Sequence, residues 1–199
     1  MRDKYGTGQD PYCYPDSDTL RNRLGILDPE LLEQAEREIS ALEAQLIEFH
    51  EPPYDLAYWQ SLHRQLFGEL YDWAGQIRVI DISKLQTRFC TVARIEPEAG
   101  KIFAALARQH YWLGLSRHDL VRAAAEAYAE LNMIHPFREG NGRAQRILFE
   151  HLIVNCGYAI SWDAIGRDEW LNANIAGVYC NYLPMIALFE RCIGAELEE

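Results

Sequence analysis

The sequence lacks the features that would place it in a membrane or in an oxidising compartment. Its cysteines number five and include no Cys-X-X-Cys pair, so neither a disulfide framework nor a zinc site is indicated. No apolar run is long enough to span a bilayer, and no charged and then apolar leader follows Met1. We therefore expect a cytoplasmic protein without membrane contact, although export by a route that needs no leader stays open.

Positive charge is also scarce, which limits the kinds of partner. The formal net charge is -11, whereas nucleic acids and anionic membranes bind basic surfaces, so direct nucleic-acid binding is not expected. With 199 residues, of which 49% are hydrophobic, the chain is long enough for one well-filled core and short for two. We expect a single domain over residues 1–199, with residues 1–27 as an irregular lead-in packed on its body.

Most of the chain has the periodicity of amphipathic helices. Asp28 and Pro29 form a helix start, with the aspartate as N-cap and the proline in the first turn. Apolar residues then recur on one face, which predicts a scaffold helix with that face toward the core. These residues are Leu31, Ala35, Ile39, Leu42, Leu46 and Phe49. Further helices are expected to begin at Asp55 and Pro97 and to cover residues 116–133, 143–156, 167–176 and 183–192.

Strand signals are weak except in one place. β-branched and aromatic residues on both sides of a turn at residues 84–86 predict two short strands, one with Val79, Ile80 and Ile82 and one over residues 87–90. Such a hairpin is weakly stable alone, so it either packs on helices or offers an edge to another peptide. The sequence therefore predicts an all-α bundle with one β-hairpin.

The densest run of chemically active residues lies between the helices expected at 116–133 and 143–156, where the sequence reads HPFREGNGRAQR. Gly140 and Gly142, on either side of Asn141, allow the backbone to take a positive φ and to approach a ligand closely. The N–H groups at the start of the following helix carry the positive end of its dipole, so an anion is expected there.

Charged side chains extend this anion site. Arg143 and Arg146 are one turn apart near the helix N-terminus, which suits a chain of phosphates better than a single carboxylate. Glu139 places a carboxylate beside this positive charge and so suggests a divalent cation, since Mg²⁺ prefers carboxylate and phosphate oxygens. A neutral His135 could take a proton from an incoming hydroxyl, whereas Phe137 is most simply a core anchor.

The string H-x-F-x-E-G-N-G-R-x-x-R matches the signature of the Fic family at all eight defining positions, and the chain therefore resembles that family. Its members commonly transfer AMP from ATP to a hydroxyl of another protein. The resemblance implies the Fic fold, with His135 as general base, Phe137 as core anchor and Glu139 as the Mg²⁺ ligand. It also implies an anion hole and a clamp for the outer phosphates. The hole consists of Gly140, Asn141 and Gly142, and the clamp consists of Arg143 and Arg146.

The predicted hairpin resembles the Fic flap, which is thought to dock the target segment by strand addition beside the nucleotide. Its candidate docking residues are Lys84, Thr87, Arg88 and Phe89. The lysine and the arginine are individually weak evidence, because exposed basic residues are common on any surface.

Three classes of function remain in view. The first is AMP transfer to a Ser, Thr or Tyr of a protein. The second is another phosphoryl transfer on the same fold, such as the kinase activity of Doc-like relatives, which carry a lysine in the loop where this chain has Asn141 and Gly142. The third is an interaction protein without catalysis, which an intact His135 and Glu139 disfavour.

The chain also lacks a regulatory pattern. Many Fic proteins are held inactive by a glutamate in the pattern [ST]-x-x-x-E-[GN], which pairs with the second arginine of the signature. Here the only glutamate followed by Gly or Asn is Glu139, and His135 stands four residues before it. We therefore expect a small antitoxin that supplies the inhibitory helix in trans. The resemblance to bacterial toxins further suggests the ATPase subunit of DNA gyrase or of topoisomerase IV as the target.

Overall fold

The structure of the chain, a computed structural model, describes residues 10–84 and 86–197. Part of the expected lead-in, residues 1–9, lies outside the described residues, as do Leu85 in the hairpin turn and residues 198–199. None of the helices described is long and apolar enough to cross a membrane.

The described residues form a helical bundle with two small antiparallel strand pairs. The helices are α1 (Pro29–Gln45), α2 (Leu56–Phe67), α3 (Val92–Arg108), α4 (Arg117–Ile134), α5 (Asn141–Asn155), α6 (Arg167–Val178) and α7 (Leu183–Cys192). The strands are β1 (Ser83–Lys84) with β2 (Thr87–Arg88), and β3 (Tyr158–Ile160) with β4 (Ile193–Glu196). The all-α fold with a hairpin is therefore confirmed. The pair β3 and β4 was not predicted, because strands this short show no alternation and their partners are far apart in sequence.

The core is centred on α4, which packs against α3, α5, α6 and α7. Its alanines Ala124, Ala125 and Ala129 are buried, and small side chains allow neighbouring helices to approach closely. The ring of Tyr128 meets Phe149 of α5 edge to face, with 4.8 Å between the ring centroids. Because α4 and α5 are fixed in this way, the loop that joins them is held at both ends.

Two helix starts have the expected caps, and a third begins elsewhere. The side chain of Asp28 accepts hydrogen bonds from the first turn of α1, and that of Asp55 accepts one from Tyr58 in α2. The prediction that Pro97 opens α3 is wrong, since the helix already begins at Val92. The N–H of Val92 donates to the carboxylate of Asp81 at 2.8 Å. Asp81 lies just before β1 and 11 residues before Val92, so the sequence around the start of α3 could not reveal this contact.

The predicted inward face of α1 is confirmed at Ile39, which packs against the core, but it is wrong at three leucines. Leu31, Leu42 and Leu46 are 53%, 62% and 66% exposed, whereas α1 buries a neighbouring face that contains Glu36 and Ser40. This polar face is stable because the guanidinium of Arg143 on α5 binds both residues. Arg143 of the motif therefore stabilises this side of α1 against the bundle, together with Leu32 and Ile39, which pack in the core.

Candidate active site

His135 ends α4 and takes an uncommon backbone conformation, with φ 44° and ψ 61°. Its Nδ1–H donates to the carbonyl oxygen of Asn132 at 3.0 Å, because that acceptor requires a proton on Nδ1. The Nε2 atom is therefore left as the proton acceptor of the ring. Burial lowers the pKa of His135 well below its ordinary value, so the imidazole is neutral at pH 7 and can act as a base.

Arg78 binds the main chain of this histidine. The Arg78 side chain is 1% exposed, and its Nε–H donates to the carbonyl oxygen of His135 at 2.8 Å. Its other nitrogens donate to the carbonyls of Ile80 and Cys90, and its own N–H donates to Pro136 at 2.8 Å. One buried guanidinium thus joins both ends of the hairpin segment to the loop between α4 and α5.

Phe137 anchors the loop as the sequence predicts, since its ring is fully buried. It stacks on His63 of α2 with 3.9 Å between the ring centroids. The side chain of Asn141 closes the loop on itself, because its Oδ1 accepts from the N–H of Phe137 and its Nδ2 donates to the carbonyl of Phe137, both at 2.8 Å. Asn141 therefore offers its backbone, and not its amide group, to the predicted anion hole.

The two glycines of the motif have different surroundings, so each position favours glycine for a different reason. Gly140 has φ 78°, and a Cβ there would lie 2.4 Å from the ring of Phe67, so the packing admits only glycine. At Gly142 a Cβ would meet no atom within 4 Å. No side chain in the described part of the chain caps the N-terminus of α5. Open space therefore lies above its first N–H groups, as an anion-binding helix start requires.

Glu139 lies at the edge of this space, with its Oε1 accepting from the N–H of Gly140 at 3.2 Å. Among the described residues there is no group of three or more His, Cys, Asp or Glu placed to hold a metal ion. A metal held by protein ligands alone is therefore not indicated. One carboxylate beside an anion site fits Mg²⁺, which typically takes one or two protein carboxylates together with phosphate oxygens and waters.

The predicted phosphate clamp is divided between two sides of α5. The guanidinium of Arg143 binds the carboxylate of Glu36 and donates to Ser40 Oγ at 2.9 Å. Its carbon lies 4.7 Å from the centre of the Phe67 ring. Glu36 is fixed in turn by the hydroxyl of Tyr71 at 2.5 Å, so Arg143 belongs to a partly buried network with α1.

Arg146 faces a cavity of about 250 Å³. The other residues that line it are Trp162, Ile165, Arg167 and Trp170. The guanidinium carbon lies 6.0 Å from the centre of the Trp170 ring. Within residues 10–84 and 86–197, no carboxylate forms an ion pair with Arg146. Its charge is therefore directed toward a space that a ligand can enter.

The hairpin lies over His135, but its residues differ in their placement. Phe89, predicted to dock a target, is instead buried and stacks on the imidazole of His135 with 3.8 Å between the ring centroids. Lys84 and Arg88 are exposed and Thr87 is half-buried, so these three remain available to a partner. Arg88 reaches Asp81 at 3.3 Å, an exposed pair that constrains it weakly.

The lead-in is attached directly to the motif. Arg138, which the signature leaves undefined, donates from Nε and Nη2 to Asp10 at 2.8 and 2.6 Å. The Tyr12 hydroxyl accepts from the N–H of Val79 at 3.0 Å. Residues such as Arg78, Glu36 and Arg138 were not predicted as part of the site. Their local sequence gives no signal for this role, because each of them acts through a partner that is 57 or more residues away along the chain.

A class of protein can now be assigned to this loop and helical frame. The model of the Fic/DOC family matches residues 53–153. The chain is also 41% identical over 198 residues to a relative from Salmonella typhimurium named probable protein adenylyltransferase Fic, and the match covers 100% of this chain and 99% of the relative. The chain belongs to the Fic/DOC family.

Solved structures agree with this assignment. BepC, a VirB-translocated effector of Bartonella tribocorum with bound AMPPNP, has a TM-score of 0.85 at 29% identity, covering 94% of this chain and 97% of that chain. The N-terminal Fic domain of a Bep effector from Bartonella quintana with bound ADP has a TM-score of 0.87 at 31% identity, covering 94% and 95%. Similar chains therefore bind adenine nucleotides.

Proposed function

We propose that this chain transfers AMP from ATP to a hydroxyl side chain of a target protein. The hydroxyl oxygen attacks the α-phosphorus, the bond to the β-phosphate breaks, and pyrophosphate leaves. His135 takes the proton of the hydroxyl on Nε2. The observation that carries this proposal is the hydrogen bond from His135 Nδ1–H to Asn132, which leaves Nε2 as the proton acceptor, together with the uncapped helix start that follows the loop. The name of the Salmonella relative and the nucleotides in the similar structures support it.

The residues around the loop have separate parts in holding ATP. The N–H groups near Gly142 would receive a phosphate, and Arg146 would bind an outer phosphate. Glu139 would hold Mg²⁺, which when bound would neutralise part of the phosphate charge.

The position of the label in ATP tests the reaction. The purified chain would be incubated with Mg²⁺, a cell lysate and ATP labelled at either the α- or the γ-phosphate. We expect one lysate protein to acquire the α label and not the γ label, with His135→Ala as the inactive control. Labelling from γ-labelled ATP would instead indicate a Doc-like kinase, and no labelling in either case would favour an interaction protein.

We further propose that the chain is a toxin controlled by a small antitoxin, which places a glutamate against Arg146. The expected target is the ATPase subunit of DNA gyrase or of topoisomerase IV. Arg146 supports the first part, because a carboxylate there would compete with a phosphate for the same guanidinium. Expression of the wild-type chain alone should arrest growth, whereas His135→Ala should not. Growth arrest by neither chain, followed by activation of the wild type on removal of one of its own segments, would place the inhibitor in cis.

A further inference from the structure

His63 lies in α2 directly beneath the active-site loop and is 0% exposed. Its Nε2 is 2.9 Å from the carbonyl oxygen of Glu139. Its Nδ1 accepts a hydrogen bond from the N–H of Gly75 at 2.9 Å. One imidazole therefore connects α2, the turn that leads toward the hairpin, and the loop that carries the expected metal ligand.

These two contacts fix the form of the ring. Because Nδ1 of His63 accepts a hydrogen bond, the proton of the neutral ring is on Nε2, which donates to Glu139. The turn at Gly75 is itself fixed against α2, since its carbonyl accepts from the side chain of Gln60 at 2.8 Å. The Gly75 N–H thus orients the imidazole, and the imidazole in turn holds the loop.

The peptide unit that His63 binds connects Glu139 to the start of α5. Its carbonyl belongs to Glu139 and receives Nε2–H, while its N–H belongs to Gly140 and faces the Glu139 carboxylate at 3.2 Å. A rotation of this peptide would redirect the carboxylate and also the start of α5, where the anion is expected. We propose that His63 is a positioning residue that sets the direction of the Glu139 carboxylate, an inference that rests on the proposed function of the loop.

Two substitutions separate the two contacts of His63. The terminal group of Asn lies near the position of Nδ1, so His63→Asn keeps an acceptor for Gly75 and loses the donor to Glu139. The terminal group of Gln lies near the position of Nε2, so His63→Gln keeps the donor and loses the acceptor. His151→Asn is a matched control, because His151 is a second buried histidine whose Nδ1 is bound by Tyr58, away from the loop.

The measurement is the calorimetric affinity for α,β-methylene ATP, which cannot release pyrophosphate, with Mg²⁺ and with EDTA. Melting temperatures would be recorded for each variant. We expect the wild type to bind the analogue more tightly with Mg²⁺ than with EDTA. In His63→Asn this gain in affinity should be smaller by about tenfold or more, as for a residue that orients a metal ligand. His63→Gln and His151→Asn should keep it within about threefold.

Other outcomes overturn the inference in different ways. If His63→Asn and His63→Gln lose the Mg²⁺ effect equally, His63 is a packing residue only. The same conclusion follows if His63→Asn has a lowered melting temperature but keeps the Mg²⁺ effect of the wild type. If the wild-type chain binds the analogue equally with Mg²⁺ and EDTA, the metal role of Glu139 fails, and the inference fails with it. A wild type that does not bind the analogue at all contradicts the proposed function itself.

Discussion

Arg143 and Arg146 are one turn apart on α5, yet they lie in different surroundings. Arg143 is bound to Glu36 and Ser40 of α1 and packs on the Phe67 ring. Arg146 faces a cavity lined by tryptophans. The signature treats the two arginines alike, but the structure makes the first a part of the framework and the second a part of an open site. Mutations at the two positions should therefore differ in kind.

Arg143→Ala should have the largest effect on the fold. Its removal leaves the carboxylate of Glu36, whose side chain is 10% exposed, without its cationic partner. We expect the free energy of unfolding to fall by about 2 to 3 kcal/mol, less than for a fully buried pair because Arg143 is partly exposed. Use of ATP should fall as well. Urea denaturation followed by circular dichroism measures the first effect, and an unchanged stability would show that the Glu36 pair is not part of the framework.

Arg146→Ala should separate function from stability. We expect the free energy of unfolding to stay within about 0.5 kcal/mol of the wild type, because no buried partner loses its charge. The transition-state stabilisation given by kcat/KM for ATP should fall by roughly 1.5 to 3 kcal/mol, as for a lost charged hydrogen bond. Steady-state AMP transfer at several ATP concentrations measures this loss. Wild-type turnover would remove Arg146 from the phosphate clamp.

Glu36→Gln should weaken the framework less than Arg143→Ala. Tyr71 and Arg143 donate to different oxygens of the Glu36 carboxylate. In the amide one of these oxygens becomes an NH2 group, which cannot accept, so one hydrogen bond of the network is lost. We expect a destabilisation of about 1 to 2 kcal/mol, together with a smaller rise in the KM for ATP than Arg143→Ala gives. The same denaturation and kinetic experiments apply. A KM for ATP below the wild-type value would mean that Glu36 restrains Arg143 and does not orient it.

Gly142→Ala should have a small effect on stability, and one of opposite sign to that of Arg143→Ala. The space around Gly142 admits a methyl group, and alanine favours the helix by up to about 1 kcal/mol. The same methyl group would occupy the space where a phosphate must approach the N–H groups. We therefore expect a slightly raised melting temperature and weaker ATP binding. Undiminished binding would place the phosphate away from this helix start.

The position of the loop between two helices was predicted correctly, because the signals for it are local. His135, Phe137 and Gly140 act through backbone conformation and packing that their own residue types impose. Part of the inward face of α1 was predicted wrongly, since hydrophobic periodicity assigns Leu42 to the core and cannot foresee that Glu36 is buried by Arg143. The supports of the loop were missed for a related reason. Arg78 and His63 are 57 and 76 residues before the main-chain carbonyls that they bind, and only folding brings such partners together.

The central claim is that His135 removes the proton of the target hydroxyl while other residues bind ATP. The most direct test compares wild type and His135→Ala in two measurements: AMP transfer from α-labelled ATP to the labelled lysate protein, and calorimetric binding of α,β-methylene ATP with Mg²⁺. We expect His135→Ala to abolish transfer and to bind the analogue with nearly wild-type affinity, because the phosphate contacts come from α5. Transfer at the wild-type rate, or a loss of binding as large as the loss of transfer, would contradict the assignment of His135 as the base.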